Sequence, residues 1–263
     1  MTNDLVEKII LLAKKAGTAI MDVYNTDFDV QFKDDQSPVT KADKNANVII
    51  ENGLKEIDDS IPILSEEGKN VKYDDRKGWN NFWLVDPLDG TKDFIKKNDE
   101  FTVNIALIKD QSPVFGVVYA PATKLLYWGG ETCGTWKKES NSLAQEINVN
   151  SEFHGTIMIA SSRSHPSHKM KDFLHQFEKY ELKPMGSSLK ICLVSDGTVH
   201  IYPRLGPTME WDTAASHAIL KYAGGEMIQA GKNEALIYNK RDLLNPEFIA
   251  GNLNFINELK MID

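Results

Sequence analysis

The 263-residue sequence predicts a layered α/β protein. Segments with helical spacing of apolar residues alternate with short strand-like runs, and a block of consecutive strands occupies the middle of the chain. Hydrophobic residues make up 41% of the sequence, which is enough for one large core or two smaller domains. We therefore expect layers of helix and sheet around a well-formed core.

The N-terminal part of the sequence predicts two helices, a loop and a series of strands. Apolar residues recur at helical spacing over 5–23 and 42–54, and Thr40 is the predicted N-cap of the second helix with Asp43 in its first turn. The polar residues 69–81 predict a surface loop. Short apolar runs predict strands at 62–65, 82–85, 102–108 and 114–119, and an antiparallel pair at 125–128 and 134–136.

A weakly periodic, polar segment at 139–152 predicts a boundary. We place an N-terminal α+β part at 1–150 and a C-terminal α/β part at 151–263. In the C-terminal part, the patterns predict a strand, two helices, a strand and a final helix at 157–160, 167–177, 190–195, 199–202 and 213–223.

The charge balance and the cysteines narrow the function classes. The formal charge of −8 argues against a general nucleic-acid-binding surface, although a local basic pocket could still hold a small phosphorylated ligand. Cys133 and Cys192 lack metal or redox spacing, so we expect reduced thiols and a cytoplasmic protein. Charges interrupt residues 1–17, so we expect no signal peptide, and no apolar run suggests a membrane span.

The stretch 86–91, Asp-Pro-Leu-Asp-Gly-Thr, is the most informative part of the sequence. It follows the strand predicted at 82–85, and its two carboxylates precede a turn. Burying two like charges together is unfavourable unless a cation neutralises them. An all-oxygen ligand set favours a hard divalent ion such as Mg²⁺. An ordinary turn is the alternative, because Asp, Pro and Gly are common turn residues.

Three more acids lie at element boundaries. Glu66 ends the strand at 62–65, and Asp212 opens the helix at 213–223, positions where α/β proteins usually place ligands. Taken alone, Asp212 is explained as an N-cap and Glu66 as part of a solvated charge pair. Asp43 is likewise explained by compensation of the helix dipole, worth roughly 0.3–1 kcal/mol.

Four motifs in order favour a functional interpretation. Residues 83–94 resemble the first signature of the inositol monophosphatase-like family of Mg²⁺-dependent, lithium-sensitive phosphatases, and 211–215 resemble its second signature. The stretches 64–68 and 40–43 are similar to two further motifs of that family. The resemblance covers most of the chain and implies the family's sandwich of alternating helix and sheet layers.

Within the family, the chain is most similar to the CysQ-type 3′(2′),5′-bisphosphate nucleotidases. Lys92, the strand at 101–108, and the stretches 186–192 and 202–204 carry this likeness. Asp93 departs from the pattern, because those nucleotidases usually have Glu there.

The resemblance implies a site with two or three Mg²⁺ ions. The implied metal ligands are Glu66, Asp86, the Leu88 carbonyl, Asp89 and Asp212. Thr91, paired with Asp43, would relay a proton from the attacking water, and Glu66 joins them as a catalytic candidate. The Gly90 and Thr91 N–H groups would receive phosphate oxygens.

The implied substrate is 3′-phosphoadenosine 5′-phosphate (PAP) or its sulfated relative, cleaved at the 3′ position to AMP and phosphate in sulfur assimilation. Lys190 and Arg204 are candidates for the 5′-phosphate, because cations recognise phosphate. An ordinary helix-surface lysine and a surface arginine are the alternatives. The candidate substrate contacts are Gly90, Thr91, His165, Ser187, Lys190, Arg204 and Asp212.

Two rival functions stay open at this point. One is an inositol monophosphatase or a sugar-bisphosphate phosphatase, and the other is a non-catalytic, metal-dependent binding protein. Thr91 and Asp43 beside the acids argue against a binder, which has no need to activate water. The expected partner is a small nucleotide and not a nucleic acid. Monomer or homodimer, and contact with the inner membrane surface, are left open.

Overall fold

The computed structural model describes residues 2–27, 30–32, 38–152, 155–163 and 168–259. The helices are α1 (Asn3–Tyr24), α2 (Lys41–Ile57), α3 (Tyr73–Arg76), α4 (Thr91–Ile95), α5 (His168–Leu174), α6 (Leu189–Ser195), α7 (Glu210–Tyr222) and α8 (Leu253–Glu258). The strands are β1 (Val30–Phe32), β2 (Pro38–Thr40), β3 (Ile63–Ser65), β4 (Asn81–Asp89), β5 (Thr102–Lys109), β6 (Ser112–Ala120), β7 (Leu125–Gly130), β8 (Gly134–Glu139), β9 (Gln145–Glu146), β10 (Ile157–Ser161), β11 (Tyr180–Pro184), β12 (Ile201–Arg204), β13 (Gly225–Gln229) and β14 (Phe248–Asn252). None of these helices is long and apolar enough to cross a membrane.

Two large sheets organise these elements. The first contains β3 to β9 in chain order and is antiparallel except for the parallel pair of β3 and β4. The second has the order β11-β10-β12-β14-β13, parallel across its first three strands and antiparallel across the last three. The predicted antiparallel pair near residue 130 is confirmed as β7 and β8.

The elements stack in five layers. Helices α1 and α2 cover one face of the first sheet, and α5 and α8 cover the outer face of the second. Helices α6 and α7 lie between the sheets: Ile219 packs in one cluster with Val118 of the first sheet, and Leu220 packs in another with Met227 of the second. The predicted layered α/β fold is confirmed, because strands and helices each bury apolar faces against the next layer.

The strands of the first sheet end at Glu146, and those of the second begin at Ile157. The division near residue 150 stays a prediction, since α7 belongs to the C-terminal part yet packs on both sheets.

The predicted surface loop at 69–81 is only partly a loop. It contains the short helix α3, whose last residue, Arg76, is buried. Both terminal nitrogens of the Arg76 guanidinium donate to partners more than 160 residues away, a long-range pairing that local polarity cannot reveal.

Several elements of the C-terminal part were not predicted. Strands β11, β13 and β14 and helix α8 are short, and β11 has an almost fully exposed sequence pattern. The three strands are held by pairing with their neighbours in the second sheet, and strand preference depends strongly on such context.

Candidate active site

A bulge in β4 brings Asp86 and Asp89 to the same side of the sheet. The strand was predicted to end at Val85, but it continues to Asp89. Asp86 pairs with Asn104 and Asp89 with Thr102, so β4 carries one extra residue in this interval. Residues three apart on a regular strand face opposite sides, and one inserted residue reverses that relation. Pro87, which has no N–H to donate, fits this irregular position.

Glu66 reaches the same place through the parallel pairing of β3 and β4. Ser65 lies opposite Val85, and the Glu66 N–H donates to the Val85 carbonyl at 3.1 Å. The residue after β3, Glu66, therefore lies next to Asp86 of β4.

Asp212 comes from α7. It is the third residue of the helix rather than the N-cap considered from the sequence, and its Oδ2 accepts from the Met209 N–H at 2.8 Å. One oxygen thus caps the helix while the carboxyl group faces β4. The backbone of α7 approaches β6 so closely that a Cβ on Gly116 would lie 2.1 Å from the Ala215 carbonyl oxygen, which fixes the helix against the sheet.

Glu66, Asp86 and Asp212 each offer an oxygen within 4.8 Å of the others. Asp86 is only 1% exposed, and burial, followed by the charges of Glu66 and Asp89, raises its pKa well above the usual range. Burial, followed by the charge of Asp89, raises the pKa of Asp212 to about 8. The cluster therefore has a strong electrostatic demand for a cation.

Asp89 borders the same cavity but is held differently. Its Oδ2 accepts from the Ser188 N–H at 2.6 Å and the Ser188 hydroxyl at 2.7 Å, with the Asn104 amide at 3.4 Å. The Asp212 carbonyl oxygen, also 2.7 Å from Ser188 Oγ, is an alternative acceptor for the single hydroxyl proton. Ser188 thus links β4 to α7 behind the acids.

The two oxygens of Asp43 have separate partners. Oδ2 accepts from the Thr40 N–H and hydroxyl, both at 2.7 Å, which is the predicted capping interaction. Oδ1 accepts from the Thr91 hydroxyl at 3.1 Å. The helix-capping explanation and the pairing with Thr91 are therefore compatible, since each uses a different oxygen.

Gly90 joins β4 to α4 with a left-handed φ of 92°. A side chain there would also meet the Glu100 carbonyl oxygen and Ser187 Cβ at 3.3 and 3.4 Å. The positive φ and the closeness of these neighbours both favour glycine at this position.

A cavity of about 500 Å³ opens from the acids towards α6 and β12. Ser187, Lys190 and Arg204 line it together with Asp89 and Asp212. His165, the remaining predicted substrate contact, lies outside the described residues.

Lys190 is not the helix-surface lysine considered as an alternative. It is 8% exposed, its Nζ donates to the Ser187 carbonyl at 2.6 Å, and burial lowers its pKa to about 8. Ser187 Oγ and Arg204 Nε are buried without a hydrogen-bond partner among the described residues. Buried polar atoms of this kind usually have a partner, so this wall is suited to a polar, anionic ligand.

The family model of the inositol monophosphatase family matches residues 3–261. This chain belongs to the inositol monophosphatase family. The carboxylate cluster fits a divalent cation, because its donors are all oxygens, Asp86 is buried, and the raised pKa values of Asp86 and Asp212 fall back when a hard cation replaces protons. Inositol monophosphatase family members are generally metal-dependent.

Several curated relatives share one name. The 3′(2′),5′-bisphosphate nucleotidase CysQ of Buchnera aphidicola is 46% identical over 225 residues, 85% of this chain and 83% of the relative. The protein of that name from Salmonella typhimurium is 44% identical over 247 residues, 93% and 98% of the two chains.

Solved structures share the fold of this chain. The crystal structure of CysQ from Bacteroides thetaiotaomicron has a TM-score of 0.84 and 42% identity, covering 95% of this chain and 97% of that one. An inositol monophosphatase from Anabaena (Nostoc) shares the fold at a TM-score of 0.72 and 22% identity, covering 100% and 99%.

Two residues that orient the acids of this inositol monophosphatase family member were not predicted from the sequence. Ser188 binds Asp89, and Asn104 donates to the Ser188 hydroxyl at 2.8 Å. A signal existed for Asn104, a polar residue in the middle of an apolar strand. Ser188 lay inside the stretch assigned to the nucleotide and had no separate signal.

Proposed function

We propose that this protein is a Mg²⁺-dependent phosphatase that removes the 3′-phosphate of PAP, releasing AMP and inorganic phosphate, in sulfur assimilation. The observation that carries this proposal is that one cavity has an acidic end, which favours a cation, and a basic wall, which favours an anion. Glu66, Asp86 and Asp212 form the anionic end, and buried Lys190 with Arg204 forms the cationic wall. The names of the 43–46% identical relatives support this substrate.

The acids would hold two or three Mg²⁺ ions with Glu66, Asp86, Asp89, Asp212 and the Leu88 carbonyl as ligands. When bound, Mg²⁺ supplies neutralisation of the phosphoryl oxygens and lowers the pKa of water. The Leu88 N–H donates to Asp86 Oδ1 at 3.1 Å, which orients that carboxylate. Ser188 restrains Oδ2 of Asp89 and leaves its second oxygen as the ligand atom in this proposal.

Thr91 and Asp43 carry the proton in this mechanism. The attacking water gives a proton to Thr91 Oγ1 as the Thr91 hydroxyl proton passes to Asp43 Oδ1, 3.1 Å away. Thr40 holds the other oxygen of Asp43, so the carboxylate keeps its orientation during the transfer. Gly90 and Thr91 N–H groups receive the phosphate oxygens, and Glu66 assists as a ligand beside the water.

The second phosphate distinguishes this substrate from a monophosphate. Lys190 and Arg204 bind the 5′-phosphate in the proposal, with Ser187 as a further polar contact. Arg204 has one guanidinium nitrogen bonded to the Pro207 carbonyl at 2.7 Å, which orients its planar fork. An inositol monophosphate has no second phosphate to satisfy this wall. The cytoplasm is the proposed compartment, in keeping with two free thiols.

A substrate panel tests the proposal. With Mg²⁺ present, we expect kcat/KM for PAP to exceed that for inositol 1-phosphate and fructose 1,6-bisphosphate, measured as released phosphate. Lys190→Met and Arg204→Ala should each lower kcat/KM for PAP at least tenfold, in line with the loss of a charged hydrogen bond, while exposed Lys179→Met should not. A higher kcat/KM for inositol 1-phosphate would reject the substrate assignment, and no phosphate release from any of the three would favour a binding protein.

A further inference from the structure

A bridge between the two parts of the chain crosses the mouth of the cavity. Glu100 Oε2 accepts from the Gly186 N–H at 2.7 Å and from Arg163 Nε at 2.8 Å, and Arg163 Nη2 donates to Glu100 Oε1. Arg163 and Gly186 both line the cavity. The Glu100 side chain is 13% exposed and that of Arg163 is 53% exposed, so Glu100 joins a half-buried contact with Gly186 to an ion pair with Arg163 that is open to solvent.

The same bridge fixes how closely the segment around Gly186 approaches the N-terminal part. A Cβ on Gly186 would lie 2.6 Å from the Glu100 carbonyl oxygen and 2.9 Å from Asp93 Oδ2. Only a residue without a side chain fits there. Asp93 is in turn held by the Asn98 amide, which donates to its Oδ1 at 2.6 Å.

Ser187 lies between two anchored neighbours. Gly186 is held by Glu100, and Ser188 is held by Asp89. Ser187 has a left-handed φ of 45°, a conformation unfavourable for a residue with a side chain and maintained only where the surroundings impose it. Its carbonyl accepts the Lys190 ammonium at 2.6 Å. The position of the buried cation therefore depends on both anchors.

We propose that Glu100 is a positioning residue for recognition of the second phosphate: by holding Gly186 and Arg163, it fixes the cavity wall formed by Ser187 and Lys190. The proposal rests on the proposed bisphosphate substrate. It assigns to Glu100 no contact with the metal ligands or the reacting phosphoryl group, so its effect belongs to substrate affinity and not to the chemical step.

Two variants of Glu100 distinguish the effect of side-chain length from the effect of charge. Glu100→Gln keeps the length of the side chain and an oxygen that accepts from Gly186, so its KM for PAP should stay within about threefold of the wild type. Glu100→Asp keeps the charge but is shorter by one methylene and cannot hold Gly186 and Arg163 at these distances. Its KM should rise about tenfold or more, the loss expected for one charge-assisted hydrogen bond.

The readout is the split between KM and kcat for two substrates. For Glu100→Asp, kcat for PAP should change less than about threefold, and kcat/KM for adenosine 3′-monophosphate, which lacks the second phosphate, should stay near the wild-type value. The Mg²⁺ concentration giving half-maximal activity should not move. Glu139→Asp is the matched control, since Glu139 is an exposed acid paired with Lys137 at 2.9 Å and does not line the cavity.

The outcomes separate the two proposals. If the wild type does not hydrolyse PAP, the proposed function fails and Glu100 loses its assigned role with it. If the wild type hydrolyses PAP and Glu100→Asp has a wild-type KM, or if its kcat falls equally for both substrates, the positioning role is wrong while the function stands. Equal KM values for the Gln and Asp variants would also overturn it.

Discussion

Asp86 belongs to the acid cluster beside the cavity and Lys190 lines the cavity, and burial disfavours the charged form of each. The pKa of Asp86 is raised well above its usual range, first by burial and then by the neighbouring acids. The pKa of Lys190 falls to about 8, first by burial. Both residues therefore lower the free energy of unfolding of the ligand-free protein, and binding of an ion of opposite charge restores it.

The effect of Asp86→Asn on Tm should have opposite signs in the metal-free and the metal-bound protein. Without Mg²⁺, the variant should have a higher Tm than the wild type at neutral pH, because a buried repulsive charge is gone while the amide oxygen still accepts from Leu88. With Mg²⁺, the wild type should gain Tm and the variant little, and phosphate release should fall at least about a hundredfold.

Differential scanning calorimetry with and without Mg²⁺ measures this crossover. Asp59→Asn, at an exposed acid, is the control and should behave as the wild type in both conditions. Near-normal turnover of Asp86→Asn would contradict the role of this residue as a metal ligand.

The difference in free energy of unfolding between Lys190→Met and the wild type should depend on pH. The unfolded chain keeps the lysine proton up to about pH 10.5, and the folded chain loses it near pH 8. The destabilisation by Lys190 is therefore complete below pH 8, on the order of 3 kcal/mol, and disappears as the pH rises to 10.5. Urea unfolding at pH 7.5, 8.5 and 9.5 should show Lys190→Met more stable at pH 7.5 by an amount that shrinks with pH. A gap independent of pH would contradict the buried position of the ammonium group.

At the scale of elements, α7 and the bulge in β4 decide where the acids meet. The bulge turns Asp86 and Asp89 to one side, and α7 carries Asp212 to them across the layer between the two sheets. The contact of α7 with β6 at Gly116 controls that distance, because the Ala215 carbonyl oxygen occupies the space of a side chain.

Gly116→Ala should therefore displace α7 and act on the site from a distance. A methyl group 2.1 Å from a backbone oxygen forces the helix to move, and overpacking of this kind typically lowers the free energy of unfolding by roughly 1–3 kcal/mol. The Mg²⁺ concentration for half-maximal activity should rise with it. Gly78→Ala, where a Cβ meets nothing within 4 Å, is the matched control. Equal stability of the two variants in urea would show that α7 tolerates the shift.

At the scale of the whole molecule, one buried network joins sequence-distant segments around the start of α7. Arg76 Nη1 donates to Asn239 Oδ1 at 2.7 Å and to the Lys240 carbonyl at 2.8 Å. The Asn239 and Lys240 N–H groups donate to the Glu210 carboxylate at 2.6 and 3.0 Å. Glu210 is fully buried and opens α7, so the polar segment before β4 and the loop after β13 both hold the helix that bears Asp212.

Arg76→Ala should lower the free energy of unfolding by about 3 kcal/mol, because several buried acceptors lose their donor at once. Exposed Lys77→Ala removes only a surface pair with Asp74 at 3.0 Å and should change the stability by less than about 1 kcal/mol. Urea unfolding of both variants measures the difference. Similar midpoints would mean that water replaces the guanidinium and that the network is not structural.

The layered fold class, most elements up to α7, and the grouping of Glu66, Asp86 and Asp212 could be predicted from the amino-acid sequence. These features have local signals: apolar periodicity sets helices and strands, and the acids sit in short motifs at element ends. The pairing of Asp43 with Thr91 was also predicted, and the structure brings their side chains within hydrogen-bond distance.

Other features emerged from the packed fold alone: the bulge in β4, the place of Asp212 within its helix, the burial of Lys190 and Arg76, and the hydrogen bonds of Ser188 and Glu100. Each depends on partners far away in the sequence: Ser188 and Asp89 are 99 residues apart, and Arg76 and Asn239 are 163. A polar residue carries no local mark of a distant partner, so its burial follows from the packing of the layers and not from its neighbours in the chain.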